Sequence, residues 1–244
     1  DGREEGGVEN ARESLLGGKG SMSEAEWEEA LYRDELLAYE PGIPPELREE
    51  SQWSIWRPYW LLLRYYPSFR LLYVGNVVSR LGDSLNYIAA VTVLGNLSDS
   101  GLLLSALLIT RMLPRILLSP LVGVLADRFD RRTQMLVSDA CRFFVVLGFL
   151  LVRSPETLWL LYVLSFLQFS FSALYEPSRS GLMPSLIQLC DVTTANTLDG
   201  ATWSTMTVLA SAVGGFVTSA FGPYVDFVLD AATYLCSILL VLPL

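Results

Sequence analysis

The chain has 244 residues, 52% hydrophobic and 18% charged, with a mean hydropathy of +0.40; a soluble domain of this size carries about 25% charged residues. Its net charge of −9 is unevenly spread, because residues 1–50 hold 15 acidic and 5 basic side chains whereas 51–244 hold 11 and 12. No basic stripe suited to nucleic acid is present, and the lack of histidine removes the commonest general base and the nucleophile–histidine arrangements of hydrolases. Cys141, Cys190 and Cys236 form no CxxC pair, so neither a disulfide framework nor a metal site is expected, and no cofactor or enzymatic role either.

In chain order, residues 1–52 read as an acidic cytosolic extension, mostly disordered. A short helix near 22–39 opens on a Ser21…Glu24 capping box and closes before Pro41. Residues 53–70 mix Trp, Tyr and Arg as a segment at the headgroup level does. Six apolar segments follow, at about 71–94, 101–124, 133–153, 157–175, 201–221 and 223–243, each near the ~20 residues that a bilayer core requires. The connector 176–200 carries Pro177 and Pro184 and is expected to hold an interfacial helix. In span five, Ala210, Ser211, Ala212, Gly214 and Gly215 make a small-residue face fit for close helix packing.

Arginines set the expected orientation. Arg57, Arg64 and Arg70 precede the first span, Arg128, Arg131 and Arg132 lie between spans two and three, and Arg179 follows span four. The opposite connectors are almost free of basic residues, so both termini are predicted to be cytoplasmic. The expected fold class is therefore an all-α membrane protein of six transmembrane helices behind an acidic extension.

Charges within spans are costly, about 2.5–3.5 kcal/mol each on insertion scales, and each calls for a reason. Span one holds Arg80 and Asp83, span two Arg111 and Arg115, span three Asp139 and Arg142, and span six Asp226 and Asp230. Counting depth at about 1.5 Å per residue, opposite charges at matched levels suggest the pairs Asp83–Arg111 and Asp139–Arg115. Such a network either holds the helices in register or, with Asp83 near the midplane, couples transport to protons. Asn76, Asn86, Tyr87, Gln168 and Tyr175 are candidates for a substrate cavity on depth and polarity.

The stretch "GVLADRFDRR", residues 123–132, places Gly123, Asp127, Arg128, Arg131 and Arg132 at the spacing G-x-x-x-D-R-x-x-R-R. This connector resembles that of the major facilitator superfamily between its second and third spans. "SRLGDS", "RMLPRILLSPLVG", "SDACR", "YEPSRSGLMPSLI" and "AVGGFVTSAFG" follow the family's order from about residue 68. The branch most similar is that of siderophore and macrolide exporters, although Ala210-Ser211 stands where antiporters of the family carry Gly-Pro.

The resemblance implies the N-terminal six-helix half of a twelve-helix secondary transporter. It would export a small amphipathic molecule by ion-driven alternating access. Asp127 and Arg128 would latch the two halves, Gly123 would let span two pack closely, and Arg131 and Arg132 would act as anchors. The expected partners are the lipid bilayer, a small-molecule substrate, and a missing C-terminal half or a second copy of the chain, with no nucleic acid. The rival reading is a non-transporting scaffold whose acidic head recruits a partner.

Overall fold

The computed structural model describes residues 42–44, 47 and 56–244, apart from the side chain of Asp127. The extension over 1–52, with its short helix near 22–39, therefore lies almost wholly outside the described residues. All regular structure that is described is helical: α1 (Arg57–Tyr65), α2 (Pro67–Leu97), α3 (Gly101–Arg128), α4 (Arg131–Gly148), α5 (Leu158–Leu182), α6 (Val192–Phe221) and α7 (Pro223–Val241), linked by short turns. The protein is an all-α, multi-pass membrane protein, and α2 to α7 are its six long helices.

Five of the six, α3 to α7, belong to stretches long and apolar enough to cross a bilayer. Helix α2 has the length, at 31 residues, but its hydropathy is lowered by Asn76, Ser79 and Asn86, all of them buried against other helices. Polar groups in a span are tolerated on the side that meets protein.

Helix ends follow local chemistry. Pro67 and Pro223 open α2 and α7, where a missing N–H leaves nothing unsatisfied. Asp130 caps α4, accepting hydrogen bonds from the Thr133 backbone N–H and hydroxyl, both at 2.8 Å. Those two bonds hold its carboxyl below the ordinary aspartate range. Between α6 and α7 the chain reverses through Gly222 alone, at φ +85°, a conformation that L side chains avoid.

Residues 176–200 depart from the expected connector. Helix α5 continues through Pro177 to Leu182, α6 begins at Val192, and only two short 3-10 turns, Met183–Ser185 and Leu189–Asp191, lie between them. The charges that read as loop residues are instead paired with one another across helices, so the chain has no need to leave the bundle there.

Neighbours in sequence are not always neighbours in space. Helix α7 packs along α2 and α4, α5 along α3 and α4, and α6 along α2. Helix α3 runs along neither α2 nor α4. Two apolar clusters result. One joins α2, α3, α4, α5 and α7 around Phe149 and Phe227, whose rings stack at 5.0 Å. The other joins α1 and the start of α2 to Met135, Tyr175 and Ala195. Of the small-residue face on α6, Ala210 is buried and Gly214 meets Leu85 and Ile88 of α2, while Gly215 faces open space.

Candidate functional site

Between the two apolar clusters lies a polar layer centred on Arg142. This guanidinium is buried, pairs with Asp139 one turn earlier on α4, and stands 3.8 Å from Asp83 of α2. The rings of Tyr175 (α5) and Tyr234 (α7) flank it, their centroids 4.5 and 4.6 Å away, close enough for cation–π attraction. Asp139 also accepts from the Ser237 hydroxyl at 2.7 Å, and Tyr234 donates to Asp83 at 2.5 Å while accepting from the Gln168 amide at 3.1 Å. A buried charge left without its partner is strongly destabilising, so α2, α4, α5 and α7 are tied together at this level.

Neither expected pair forms. Asp139 is matched by Arg142 rather than Arg115, because α3 does not run beside α4. Arg111 turns inward, donates to Asn86 at 2.9 Å and lies over the rings of Tyr87 and Phe169 at 5.2 and 5.1 Å. Asp83 takes Tyr234 and Arg142 instead, since α7 packs along α2 and the long Arg142 side chain reaches across from α4.

Toward the α3–α4 connector a second cluster joins α2, α5 and α6. Arg179 grips Asp199 with two hydrogen bonds of 3.2 and 2.8 Å, and lies 3.5 Å from Glu176. Arg80 reaches Glu176 at 3.4 Å and Asp199 at 3.8 Å, and Asn76 donates to Asp199 at 3.0 Å. Two arginines thus meet two carboxylates. Sequence reasoning missed Glu176 and Asp199; the signal was the i,i+3 spacing of Glu176 and Arg179, which favours an ion pair on one helix face.

A small open cleft of about 130 Å³ lies beside both clusters. Four helices line it: α2 with Arg80, Asp83 and Ser84, α3 with Arg115, α5 with Phe169, Ser172 and Glu176, and α6 with Trp203, Met206 and Thr207. Through Arg115 and Glu176 it continues into a groove between α3 and α5 that reaches Gly123. None of Asn76, Asn86, Tyr87, Gln168 and Tyr175 lines either space. Four of them are buried in the hydrogen-bonded layers, and Tyr87 lies beside Arg111. Polarity within a span pointed to helix–helix bonding rather than to the cavity wall. Among the described residues no group of acidic or cysteine side chains is arranged to hold a metal ion.

The connector itself is built from both sides. Gly123 faces open space, so it brings no helix close within this chain, contrary to the tight packing expected of it. Arg128 is exposed in the last turn of α3, where a cation suits the helix dipole. Arg131 donates to the Gly181 carbonyl at the end of α5, and Arg132 is half-buried. Asp130 supplies the cap of α4, and the Asp127 side chain lies outside the described residues. Gln134, unnoticed in the sequence, donates to the Leu125 and Phe129 carbonyls at 2.7 and 2.9 Å, and the Ser178 hydroxyl lies 2.9 Å from its amide oxygen. A single amide thereby fastens the end of α3 to α4 and α5.

Residues 60–243 match the transmembrane secretion effector family. The chain is 32% identical over 177 residues to the uncharacterized MFS-type transporter YfiS of Bacillus subtilis, covering 72% of this chain and 42% of that protein. It is 26% identical over 171 residues to a putative bacilysin exporter of B. subtilis, covering 70% and 42%. It is 24% identical over 185 residues to the staphyloferrin A transporter of Staphylococcus aureus, covering 74% and 44%. The match therefore spans less than half the length of these relatives. No solved structure matches significantly.

Proposed function

The chain belongs to the transmembrane secretion effector family of the major facilitator superfamily, and from that premise we propose that it works in secondary transport, exporting a small amphipathic molecule by alternating access driven by an ion gradient. One observation carries the reading: four helices, α2, α3, α5 and α6, converge on a cleft that holds Arg80, Asp83, Arg115 and Glu176 at membrane depth. Charges placed in a span and facing a cavity are characteristic of solute pathways. Two relatives named for exporting or transporting small molecules support the direction and substrate size.

Alternating access needs a second wall. The cleft is open, and α3 and α6 leave much of their surface uncovered. A second six-helix half, or a second copy of this chain, completes the cavity in this reading. Gly123, Asp127 and Arg128 form the cytoplasmic latch to that partner, with Arg131 and Arg132 as anchors, and both termini are cytoplasmic. Asp83 is the coupling carboxylate, because it alone joins the cleft to the buried layer around Arg142.

The test is transport in proteoliposomes holding the protein and its partner half, with an imposed pH gradient and a panel of amphipathic dyes and modified amino acids. Gradient-dependent movement of at least one compound is expected, and Asp83→Asn should abolish it while binding persists. Full transport by Asp83→Asn would remove the coupling assignment. No gradient-dependent movement of any compound, together with loss of the cellular phenotype on deleting residues 1–50 but not on Asp127→Ala, would favour the scaffold reading instead.

A further inference from the structure

The charges around the cleft do not balance evenly. Arg80 and Arg179 are taken up by Glu176 and Asp199. Arg142 is taken up by Asp139 and Asp83. Arg111 is buried, with an amide acceptor and two aromatic faces around it. Arg115 has none of these: it is exposed to the cleft and makes no hydrogen bond, ion pair or ring contact among the described residues. Both carboxylates that share the cleft with it, Asp83 and Glu176, already have a cation within 4 Å. Among the charges that line the cleft, the one left without a partner is therefore positive; Asp230, which also makes no ion pair among the described residues, is buried on α7 and does not line the cleft.

Position decides what answers it. Arg115 lies eleven residues before the end of the apolar stretch Gly101–Ala126, about 16 Å along the helix axis at 1.5 Å per residue. Even a fully extended arginine falls short of a headgroup phosphate from that depth, and an unpaired cation there is among the costliest placements in a span. The wall facing it is aromatic and soft, with Phe169 from α5 and Trp203 and Met206 from α6. An anionic oxygen group on an apolar or aromatic body would meet both features at once, the anion taking the two-pronged guanidinium and the body covering the rings and the thioether.

We infer that the cleft binds an amphipathic organic anion, with Arg115 as the residue that receives its carboxylate or equivalent oxyanion. This rests on the transporter reading for its purpose, but not for its geometry. Arg115 is then the specificity determinant: the two carboxylates of the cleft, both engaged, select against a cation, and a neutral analogue leaves the guanidinium unpaired.

The experiment measures binding of dansyl-phenylalanine and of its uncharged methyl ester to the protein in phosphatidylcholine nanodiscs, by the rise in dansyl fluorescence. The free acid is expected to bind at least tenfold more tightly than the ester. Arg115→Gln should erase that preference, Arg115→Lys should retain part of it, and Arg70→Gln, at the exposed start of α2, should leave it unchanged. Size exclusion and circular dichroism establish that each variant is folded. Equal binding of acid and ester, no binding of either, or a preference that survives Arg115→Gln would overturn the inference. So would loss of the acid's advantage when phosphatidylglycerol replaces phosphatidylcholine, since lipid phosphate would then be the true partner. Failure of the transport reading is separable: the acid would bind with its Arg115-dependent preference and yet not move across proteoliposomes under any gradient.

Discussion

Helices α3 and α7 are both long, apolar and interrupted by charge, yet the bundle treats them differently. In α7, 44% of the apolar core stretch is buried, against 17% in α3. The two aspartates of α7, Asp226 and Asp230, are fully enclosed, and Tyr234 and Ser237 bond to carboxylates on α2 and α4. On α3, Ile109, Met112, Ile116 and Leu121 face outward, and of its two mid-span arginines only Arg111 finds partners. A helix surrounded by protein keeps its charges away from lipid, although Asp230 makes no ion pair among the described residues. A helix at the margin shows apolar surface, and its one unanswered charge marks where something else must come.

The comparison can be broken first at its centre. Arg142→Ala leaves Asp139 and Asp83 without their cation and should lower stability by about 3–5 kcal/mol, read as a large fall in the thermal midpoint of the protein in nanodiscs. A midpoint within a degree of the unmodified protein would mean that the layer does not hold the helices together.

A sharper contrast sets one glycine of each region against the other. A Cβ on Gly82 would run into Thr233 and Asp230 of α7, whereas one on Gly123 would meet nothing. Gly82→Ala should therefore cost about 1–3 kcal/mol through overpacking, and Gly123→Ala should cost nothing measurable. Equal effects would show that α3 is already covered in the protein as it stands in the membrane.

The smallest effect belongs to the connector. Asp130→Ala removes the cap of α4 and should cost about 1 kcal/mol near neutral pH. Because the carboxyl is held below its ordinary value of 3.8 in the folded chain, its contribution is complete above that pH and fades as the pH falls through the folded-state value. The gap between Asp130→Ala and the unmodified protein should accordingly close on acidification, and a gap unchanged down to pH 2 would remove Asp130 from the cap.

Much of this architecture was legible in the sequence. Five of the six long helices are visible as runs of apolar residues of bilayer length, and the Gly123–Arg132 connector carries its own spacing. The pairing of charges was not legible, because it depends on which helices touch. Matching depth along the chain put Asp139 opposite Arg115, but α3 packs on α5 and leaves Asp139 to Arg142. The same reason hid the cleft: Asn76 and Gln168 were read as its wall, yet each turns to a partner that lies 123 or 66 residues away. Proline misled at 177, where the helix continues because Glu176 and Arg179 find partners on α2 and α6.

The separation of those partners has a bearing on how the protein is made. Among the described long helices α2 is the first to be synthesised, and it is the one whose own sequence is least suited to lipid. Its Asp83 meets Tyr234 only after 151 further residues have been synthesised, and Gly82 is shaped for a helix that is the last of the six to appear. Until α7 is made, α2 carries polar groups that lack their partners. A chain stalled before α7 would leave Asp83 without Tyr234 and Asp139 without Ser237.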